Sequence, residues 1–157
     1  SAPQNIYLNG LGNKFNAYVG GFGSGKTFVG CIDLLNFFGR YPGTRQGYFG
    51  VSFPSIRDIF YPTFEEAAEM LGFTVVIREA NKEVHVYRNG FYYGTVICRS
   101  MDNPGSIIGF KISRALVDEI DVGKVSIGQV VSIKVAAYRD KEFFGTVAKI
   151  EPLAKAR

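Results

Sequence analysis

The sequence has few cysteines and histidines and no long apolar run, so it lacks the residues that disulfide frameworks, histidine metal centres and membrane spans require. It contains no tryptophan, one histidine (His85) and two cysteines (Cys31 and Cys98). Two isolated cysteines give no disulfide framework and no metal-ligand spacing, and a single histidine argues against a histidine-based metal site. No apolar run reaches the roughly 18 residues that span a bilayer, and the start of the chain lacks the basic and apolar regions of a secretory leader. We therefore expect a reduced, intracellular setting without a membrane.

An excess of charge of one sign is also missing from most of the chain. The formal net charge is +4, but residues 1–121 carry 11 basic and 11 acidic residues. Residues 122–157 carry 7 basic and 3 acidic residues, so the whole excess lies there. A basic tail of this size is more often a solvated face than a DNA-binding groove, so the charge alone does not predict DNA binding.

Two stretches have the apolar spacing of helices, and a chain of 157 residues has room for one domain with a core. The first stretch begins near Lys26 and ends at the segment GRYPG; its apolar positions are Phe28, Cys31, Leu34, Leu35 and Phe38. The second covers 55–72, with an interruption or a restart at Pro62. Thr63 and Glu66 have the spacing of a capping box, which would favour the restart.

Alternation of β-branched and aromatic residues with polar residues predicts the strands. The pair Asn89-Gly90 is a strong signal for a tight hairpin between two of them. A further short apolar run, Ala115 to Val117, predicts a buried strand that ends in acidic residues. The predicted strands are 14–21, 47–53, 73–79, 83–88, 91–99, 115–117, 129–137 and 142–150.

The segment GGFGSGKT fits the phosphate-loop (Walker A) pattern G-x-x-x-x-G-K-[ST] and lies between a predicted strand and a predicted helix, as that pattern requires. Glycines let successive N–H groups turn towards an anion, and the helix directs its positive end at the same place. Lys26 would reach the β- and γ-phosphates of ATP, and the Thr27 hydroxyl would bind Mg²⁺. The alternative is a glycine loop that only turns the chain. The predicted nucleotide-binding residues of the loop are Gly20, Gly21, Phe22, Gly23, Ser24, Gly25, Lys26 and Thr27.

The segment ALVDEID supplies the acidic (Walker B) partner that such a loop needs. A strand that ends in Asp118 would place that carboxylate at the edge of the sheet where the phosphate loop also lies, so Asp118 is the predicted Mg²⁺ ligand beside Thr27. Glu119 would orient and deprotonate the attacking water. The alternative is a solvated strand end.

Several segments together resemble the ATPase domain of the large terminase subunits of tailed phages, the DNA-packaging motors. They are APQNIYL, AYVGGFGSGKT, RDIFYPTFEE, RSMDNPGSIIGF and ALVDEID, in that order, over about residues 3–121. The resemblance implies an α/β fold with a partial P-loop NTPase-like sheet and flanking helices, to which the strand pattern adds an inserted β-hairpin region and a C-terminal β-hairpin. It implies an ATPase that drives double-stranded DNA into a procapsid, with ring neighbours and a portal as partners, in the cytoplasm of the infected bacterial host.

The resemblance also suggests roles for three residues outside the loop. Gln4 stands where the family has an adenine-recognising glutamine, with an ordinary surface glutamine as the alternative. Arg99 is a candidate for an arginine finger acting on a neighbouring subunit, and Arg57 is a second candidate for reaching a phosphate. For either arginine the alternative is a structural salt bridge.

The tail departs from this resemblance. The segment VSIGQVVSIKVAAYRDKEFFGTVAKIEPLAKAR, with a GQ-x-V strand, a turn and an F-x-G-x-V-x-x-I strand, resembles instead the β-barrel part of periplasmic adaptor (membrane-fusion) proteins. We therefore expect an incomplete ATPase core, 1–121, and a β-hairpin tail, 122–157, that either completes the sheet or is a separate appendage. Three functions therefore compete: an ATPase core of a packaging motor without its nuclease domain, a nucleotide-binding fragment that hydrolyses poorly, and a chimera in which the parent activity is incidental.

Overall fold

The structure is a computed structural model that describes Gln4, Asn16, Tyr18 and residues 23–107, 109–118, 127–134 and 142–147. Three α-helical segments are present in these ranges: α1 (Lys26–Arg40), α2 (Phe53–Ser55) and α3 (Tyr61–Met70). A π-helical turn, Ile56–Phe60, joins α2 to α3, and two short 3₁₀ turns cover Glu79–Asn81 and Pro104–Ile107. The strands are β1 (Thr44–Gly50), β2 (Thr74–Arg78), β3 (Glu83–Arg88), β4 (Phe91–Ser100), β5 (Arg114–Val117), β6 (Val130–Lys134) and β7 (Glu142–Thr146).

Five of the strands form one mixed sheet in the order β2-β3-β4-β1-β5. β1 runs parallel to both β4 and β5, whereas β2, β3 and β4 form an antiparallel meander. The carboxyl ends of β4, β1 and β5 therefore meet at one edge of the sheet. In open α/β sheets this is the edge outside which ligands bind.

Helix α1 forms where its apolar spacing predicted it, and its buried face packs on the sheet with α3 in one core. The strand that follows begins and ends three residues earlier than predicted, at Thr44–Gly50 instead of 47–53. The chain leaves the strand before residue 53 because Ser52 caps α2, its hydroxyl accepting a bond from the Ser55 N–H at 3.3 Å. The early start is possible because Gln46, although polar, is fully buried and donates to the Leu34 carbonyl at 3.0 Å.

The second helical region is continuous from residue 53 to Met70, so the predicted restart at Pro62 is wrong. Pro62 lies at the start of α3, directly after the π-helical turn. It lacks the N–H of a regular helical bond, and the helix continues through the wider turn, in which the Tyr61 N–H donates to the Ile56 carbonyl. The capping box is also wrong, because the Thr63 hydroxyl donates to the Ile59 carbonyl at 2.6 Å inside the helix. The helix ends two residues before the predicted Gly72, whose positive φ of 77° reverses the chain.

The meander confirms the three predicted strands to within one residue at each end. Its hairpin turn has Asn89 at φ 50° and Gly90 at φ 78°, the positive pair that a two-residue primed turn needs. β5 differs from the prediction of a buried strand, since its positions alternate between half-buried and exposed and Val117 is 46% exposed. The reason is its position, because among the described strands it pairs with β1 alone.

β6 and β7 pair antiparallel with each other in a separate two-stranded sheet. Within the described residues, no ladder joins this sheet to the larger one. The predicted ends of both strands, and most of the predicted strand 14–21, lie outside the described residues. In the part of the chain that the structure describes, no helix is long and apolar enough to cross a bilayer.

Candidate functional site

The loop that precedes α1 lies at the carboxyl edge of the sheet. Gly23 and Gly25 have φ values of 76° and 73°, in the left-handed region that glycine tolerates best. The carbonyl of Gly25 accepts the first helical bond, from the Val29 N–H at 3.0 Å. Of the predicted loop residues, Gly20, Gly21 and Phe22 lie outside the described residues.

The first turn of α1 contains no acidic residue, and its N-cap is Gly25, which has no side chain to bond the N–H groups of that turn. The N–H groups at the start of a helix have no partners within the helix, and they carry the positive end of its dipole. Lys26 and Thr27, both half-buried, are the first two residues of this helix. The N-terminal end of α1, directly after the loop, is therefore electropositive.

Thr27 and Asp118 come together at this edge. The Thr27 hydroxyl donates to the Asp118 Oδ2 atom at 2.7 Å. Asp118 follows β5 directly, and its N–H donates to the Phe49 carbonyl at 2.9 Å, which carries the β1–β5 pairing one residue further. Asp118 is 7% exposed. Glu119 lies outside the described residues, so its predicted position beside Asp118 stays a prediction.

A tyrosine on the neighbouring strand joins this pair. The Tyr48 hydroxyl, from β1, also donates to Asp118 Oδ2, at 2.7 Å. Its ring is 2% exposed and stacks on Phe60 with ring centroids 3.7 Å apart and planes 13° from parallel. Burial, and then the Asp118 charge, raise the pKa of Tyr48 well above its ordinary value, so the phenol stays a donor.

The sequence favours a core position for Tyr48 over a base-stacking one, which its burial confirms, but it predicts no role for the hydroxyl. Tyr48 is a core residue by its burial, and only the hydroxyl marks it as more than that. A buried tyrosine hydroxyl needs a hydrogen-bond partner, whereas phenylalanine at the same strand position would need none. A tyrosine at a buried strand position, where phenylalanine would pack equally well, was the feature of the sequence that could have indicated this role.

Gln4 and Tyr18 both contact the loop. The Gln4 Nε2 and the Tyr18 hydroxyl donate to the Ser24 carbonyl at 3.3 Å and 3.4 Å. A methyl group at Gly25 would lie only 2.5 Å from Gln4 Nε2, so this amide is packed closely against the loop. The Ser24 hydroxyl oxygen is buried and, among the described residues, has no hydrogen-bond partner. Such a group is costly to bury alone, which makes it a candidate for a ligand contact.

Cys31 lies one helical turn after Thr27, on the same side of α1. Burial, then the Asp118 charge and then Cys98, raise the pKa of the Cys31 thiol. Cys98, on β4, also has its pKa raised by burial. Both thiols are fully buried, so they stay protonated and uncharged.

The two predicted arginines have local partners. Arg99 donates through Nη1 to the carbonyls of Cys98, at 2.7 Å, and Lys82, at 3.2 Å. Its guanidinium lies 4.6 Å from the centre of the Phe110 ring. Arg57 is exposed and pairs with Asp58 at 2.8 Å, which raises the pKa of the arginine and lowers that of the carboxyl.

Comparison with known proteins agrees with this geometry. A family model for the N-terminal part of terminase large subunits of T4likevirus type matches residues 17–136. The match confirms the terminase resemblance and runs 15 residues beyond residue 121, where that resemblance was placed to end. A search of curated proteins found no match.

Solved terminases share the fold. The large terminase of a thermophilic bacteriophage has a TM-score of 0.61 and 16% identity, over 76% of this chain and 31% of that one. The same protein in complex with ATP-gamma-S gives 0.60 and 16%, over 76% and 30%. Its complex with ADP gives 0.57 and 16%, over 64% and 25%. The likeness confirms the predicted α/β fold, and the chain spans about a third of the length of these terminases.

Proposed function

This chain belongs to the family of T4likevirus-type terminase large subunits, and we propose that it is the ATP-binding and ATP-hydrolysing core of a motor that packages double-stranded DNA. The observation that carries the proposal is the contact between Thr27, at the start of α1, and Asp118, at the end of β5. It unites the two segments that the sequence assigned to phosphate and to metal.

The nucleotide would bind at the loop before α1. Its phosphates would meet the positive end of the helix, the Lys26 ammonium group and the Ser24 hydroxyl, which has no partner among the described residues. Gln4 holds the loop backbone through Ser24, and we propose adenine recognition as its second role. That the thermophilic phage terminase has been solved with ADP and with ATP-gamma-S supports nucleotide binding here.

The donor set fits Mg²⁺. A carboxylate and a hydroxyl are hard oxygen ligands, which Mg²⁺ prefers, and a few such groups suffice because the ion keeps several waters and binds the phosphates. Thr27 and Asp118 would hold the ion, which when bound neutralises charge on the phosphates. Asp118 is positioned by its backbone bond to β1 and by the hydrogen bonds that its carboxylate accepts.

Hydrolysis would need two further groups. We propose Glu119 as the base that orients the attacking water, on the ground that it follows Asp118 in the chain. Lys26 would stabilise the transferring phosphoryl group. For Arg99 to act on a neighbouring subunit, its bonds to the carbonyls of Cys98 and Lys82 must first break.

The wider assembly follows from the family. We propose DNA, ring neighbours and a portal as partners of the whole protein in the host cytoplasm, with residues 1–121 as the ATPase core and 122–157 as the tail. The alternative is a nucleotide-binding fragment that neither hydrolyses efficiently nor moves DNA.

Two measurements test the proposal. A nucleotide at 100 times its Kd stabilises a protein by about 2.7 kcal/mol, so ATP-gamma-S with Mg²⁺ should raise the Tm of the wild-type chain. Lys26→Ala should abolish the shift, whereas Lys111→Ala, at an exposed lysine, should keep it. Steady-state phosphate release then separates an ATPase from a fragment that only binds. An unchanged shift in Lys26→Ala would mean that the loop is only a turn.

A further inference from the structure

Two hydroxyls share one carboxylate oxygen. Asp118 Oδ2 accepts from Thr27 and from Tyr48, each at 2.7 Å. The two donors differ in their surroundings, since Thr27 is half-buried at the open end of the site and Tyr48 is 2% exposed in the core. An ion held by the pair would need the Thr27 oxygen to face it. The Tyr48 hydroxyl can bond to the carboxylate without also facing the ion.

The surroundings of Tyr48 fix the direction of its hydroxyl. The ring stacks on Phe60 at a centroid distance of 3.7 Å, which restricts the plane of the phenol. Gly50, two residues further on the same face of β1, has no side chain and therefore leaves room for the Tyr48 ring. A methyl group at Gly50 would lie 3.1 Å from Tyr48 Cε1 and 2.8 Å from Ile56 Cγ1. The strand and the π-helical turn together therefore aim the hydroxyl at Asp118.

We propose that Tyr48 is a positioning residue that holds the Asp118 carboxylate in the orientation in which it receives Mg²⁺. The inference rests on the proposed function, because it concerns the metal of that same site. Outer partners that orient a metal ligand typically change metal affinity by about 10- to 100-fold when they are removed. Tyr48 has the geometry of such a partner, and its burial in the core keeps it from contacting the nucleotide directly.

The test is the Mg²⁺ concentration needed to tighten nucleotide binding. Binding of a fluorescent mant-labelled ATP analogue is followed by anisotropy, first in EDTA and then across a Mg²⁺ titration. In Tyr48→Phe, which keeps the ring and its stack, the half-maximal Mg²⁺ concentration should rise by about 10- to 100-fold. The affinity in EDTA should stay at the wild-type value. A purely structural role would change both affinities together.

Tyr61→Phe is the matched control. Tyr61 is also buried, and its hydroxyl makes no hydrogen bond to Asp118, so this variant should keep the wild-type Mg²⁺ requirement. In an Asp118→Asn background, Tyr48→Phe should have little further effect, because the carboxylate that it positions is gone. Gly50→Ala is a second test, because its methyl group crowds the Tyr48 ring but leaves the hydroxyl in place. It should also raise the half-maximal Mg²⁺ concentration.

The outcomes separate the two proposals. A wild-type chain that binds no nucleotide, or binds it without regard to Mg²⁺, overturns the proposed function and this inference with it. A wild-type chain that responds to Mg²⁺, while folded Tyr48→Phe and Gly50→Ala respond at the same concentration, overturns the positioning role alone.

Discussion

The hydroxyl of Thr27 lies 2.7 Å from a carboxylate oxygen of Asp118, although 91 positions separate the two residues in the sequence. The contact depends on the parallel arrangement of β1 and β5, which brings Asp118 to the edge where α1 begins. Changes to either residue should therefore affect one site.

Thr27 offers a pair of nearly isosteric variants. Thr27→Val removes the hydroxyl and Thr27→Ser keeps it, so only the valine variant should lose the bond to Asp118. We expect Thr27→Val to lower the free energy of unfolding by about 1.5–3 kcal/mol, because a hydrogen bond to a buried carboxylate is lost while the bond from Tyr48 remains. Urea denaturation measures this. Equal losses in both variants would show that the hydroxyl does not matter.

Thr27→Val should also raise the Kd for ATP-gamma-S in the presence of Mg²⁺, by about tenfold or more, since each 1.4 kcal/mol is a factor of ten. The Kd in EDTA should change little. Calorimetry in the two buffers gives both values, and an identical rise in each would argue for a contact with phosphate instead of metal.

Gly25 should tolerate no side chain. Gly25→Ala forces alanine to a φ of 73° and places its methyl group 2.5 Å from Gln4 Nε2. Gly43→Ala imposes similar strain, at φ 82°, with nothing within 4 Å. We expect about 1–2 kcal/mol of destabilisation from the backbone in either variant and a further loss, with weaker nucleotide binding, in Gly25→Ala alone.

The Gly25→Ala comparison has a direct check. Adding Gln4→Ala to Gly25→Ala should recover the extra loss, because the clashing amide is then absent. If Gly25→Ala and Gly43→Ala prove equally stable, Gln4 is not packed against the loop as the structure has it.

Glu119→Gln tests the proposed base. The amide keeps the size of the side chain but cannot take a proton, so nucleotide binding should persist while phosphate release slows by roughly 10²–10⁴-fold. Asp102→Asn, at an exposed acid, should leave the rate unchanged. Loss of binding and of turnover to the same degree in Glu119→Gln would indicate a structural residue.

The two buried thiols predict a dependence of stability on pH. Folding raises the pKa of Cys31 and of Cys98, so both stay protonated in the native chain. A thiol with a raised folded pKa contributes stability that is complete below its unfolded pKa, about 8.5, and is lost as the pH rises above it. The loss should approach about 1.4 kcal/mol per thiol and pH unit.

Urea denaturation at pH 8 and pH 9.5 measures that loss, and thiol labelling gives an independent test. Neither cysteine should react with a thiol reagent at pH 8 until the chain unfolds. Rapid labelling of the native chain, or equal stability at the two pH values, would contradict the burial of Cys31 and Cys98.

The sequence predicted the elements whose signals are local. The apolar spacing of α1 and the Asn89-Gly90 turn are decided by neighbours in the chain, and both are confirmed. The errors fall where tertiary contacts decide. Gln46 lies outside the predicted strand 47–53 but belongs to β1, because its amide donates to a carbonyl on α1. Thr63 reads as a cap but lies inside a helix that the π-helical turn keeps continuous.

The sequence predicted the segments that form the site better than it predicted which side chains meet there. The residue types at 20–27 and 118–119 indicate phosphate and metal binding directly, whereas Tyr48 differs from a core phenylalanine by one oxygen atom. Its role appears only when β1 is placed beside β5. Arg99 shows the reverse case, since the family resemblance suggested a phosphate contact but its described partners are backbone carbonyls and a ring.

The most direct test of a nucleotide and metal site at Thr27 and Asp118 is calorimetric titration of ATP-gamma-S into the wild-type chain and Asp118→Asn, with Mg²⁺ and with EDTA. We predict that Mg²⁺ strengthens binding to the wild type by at least about tenfold, or 1.4 kcal/mol, and leaves binding to Asp118→Asn unchanged. No binding to the wild type, or an equal response to Mg²⁺ in both proteins, would contradict the account.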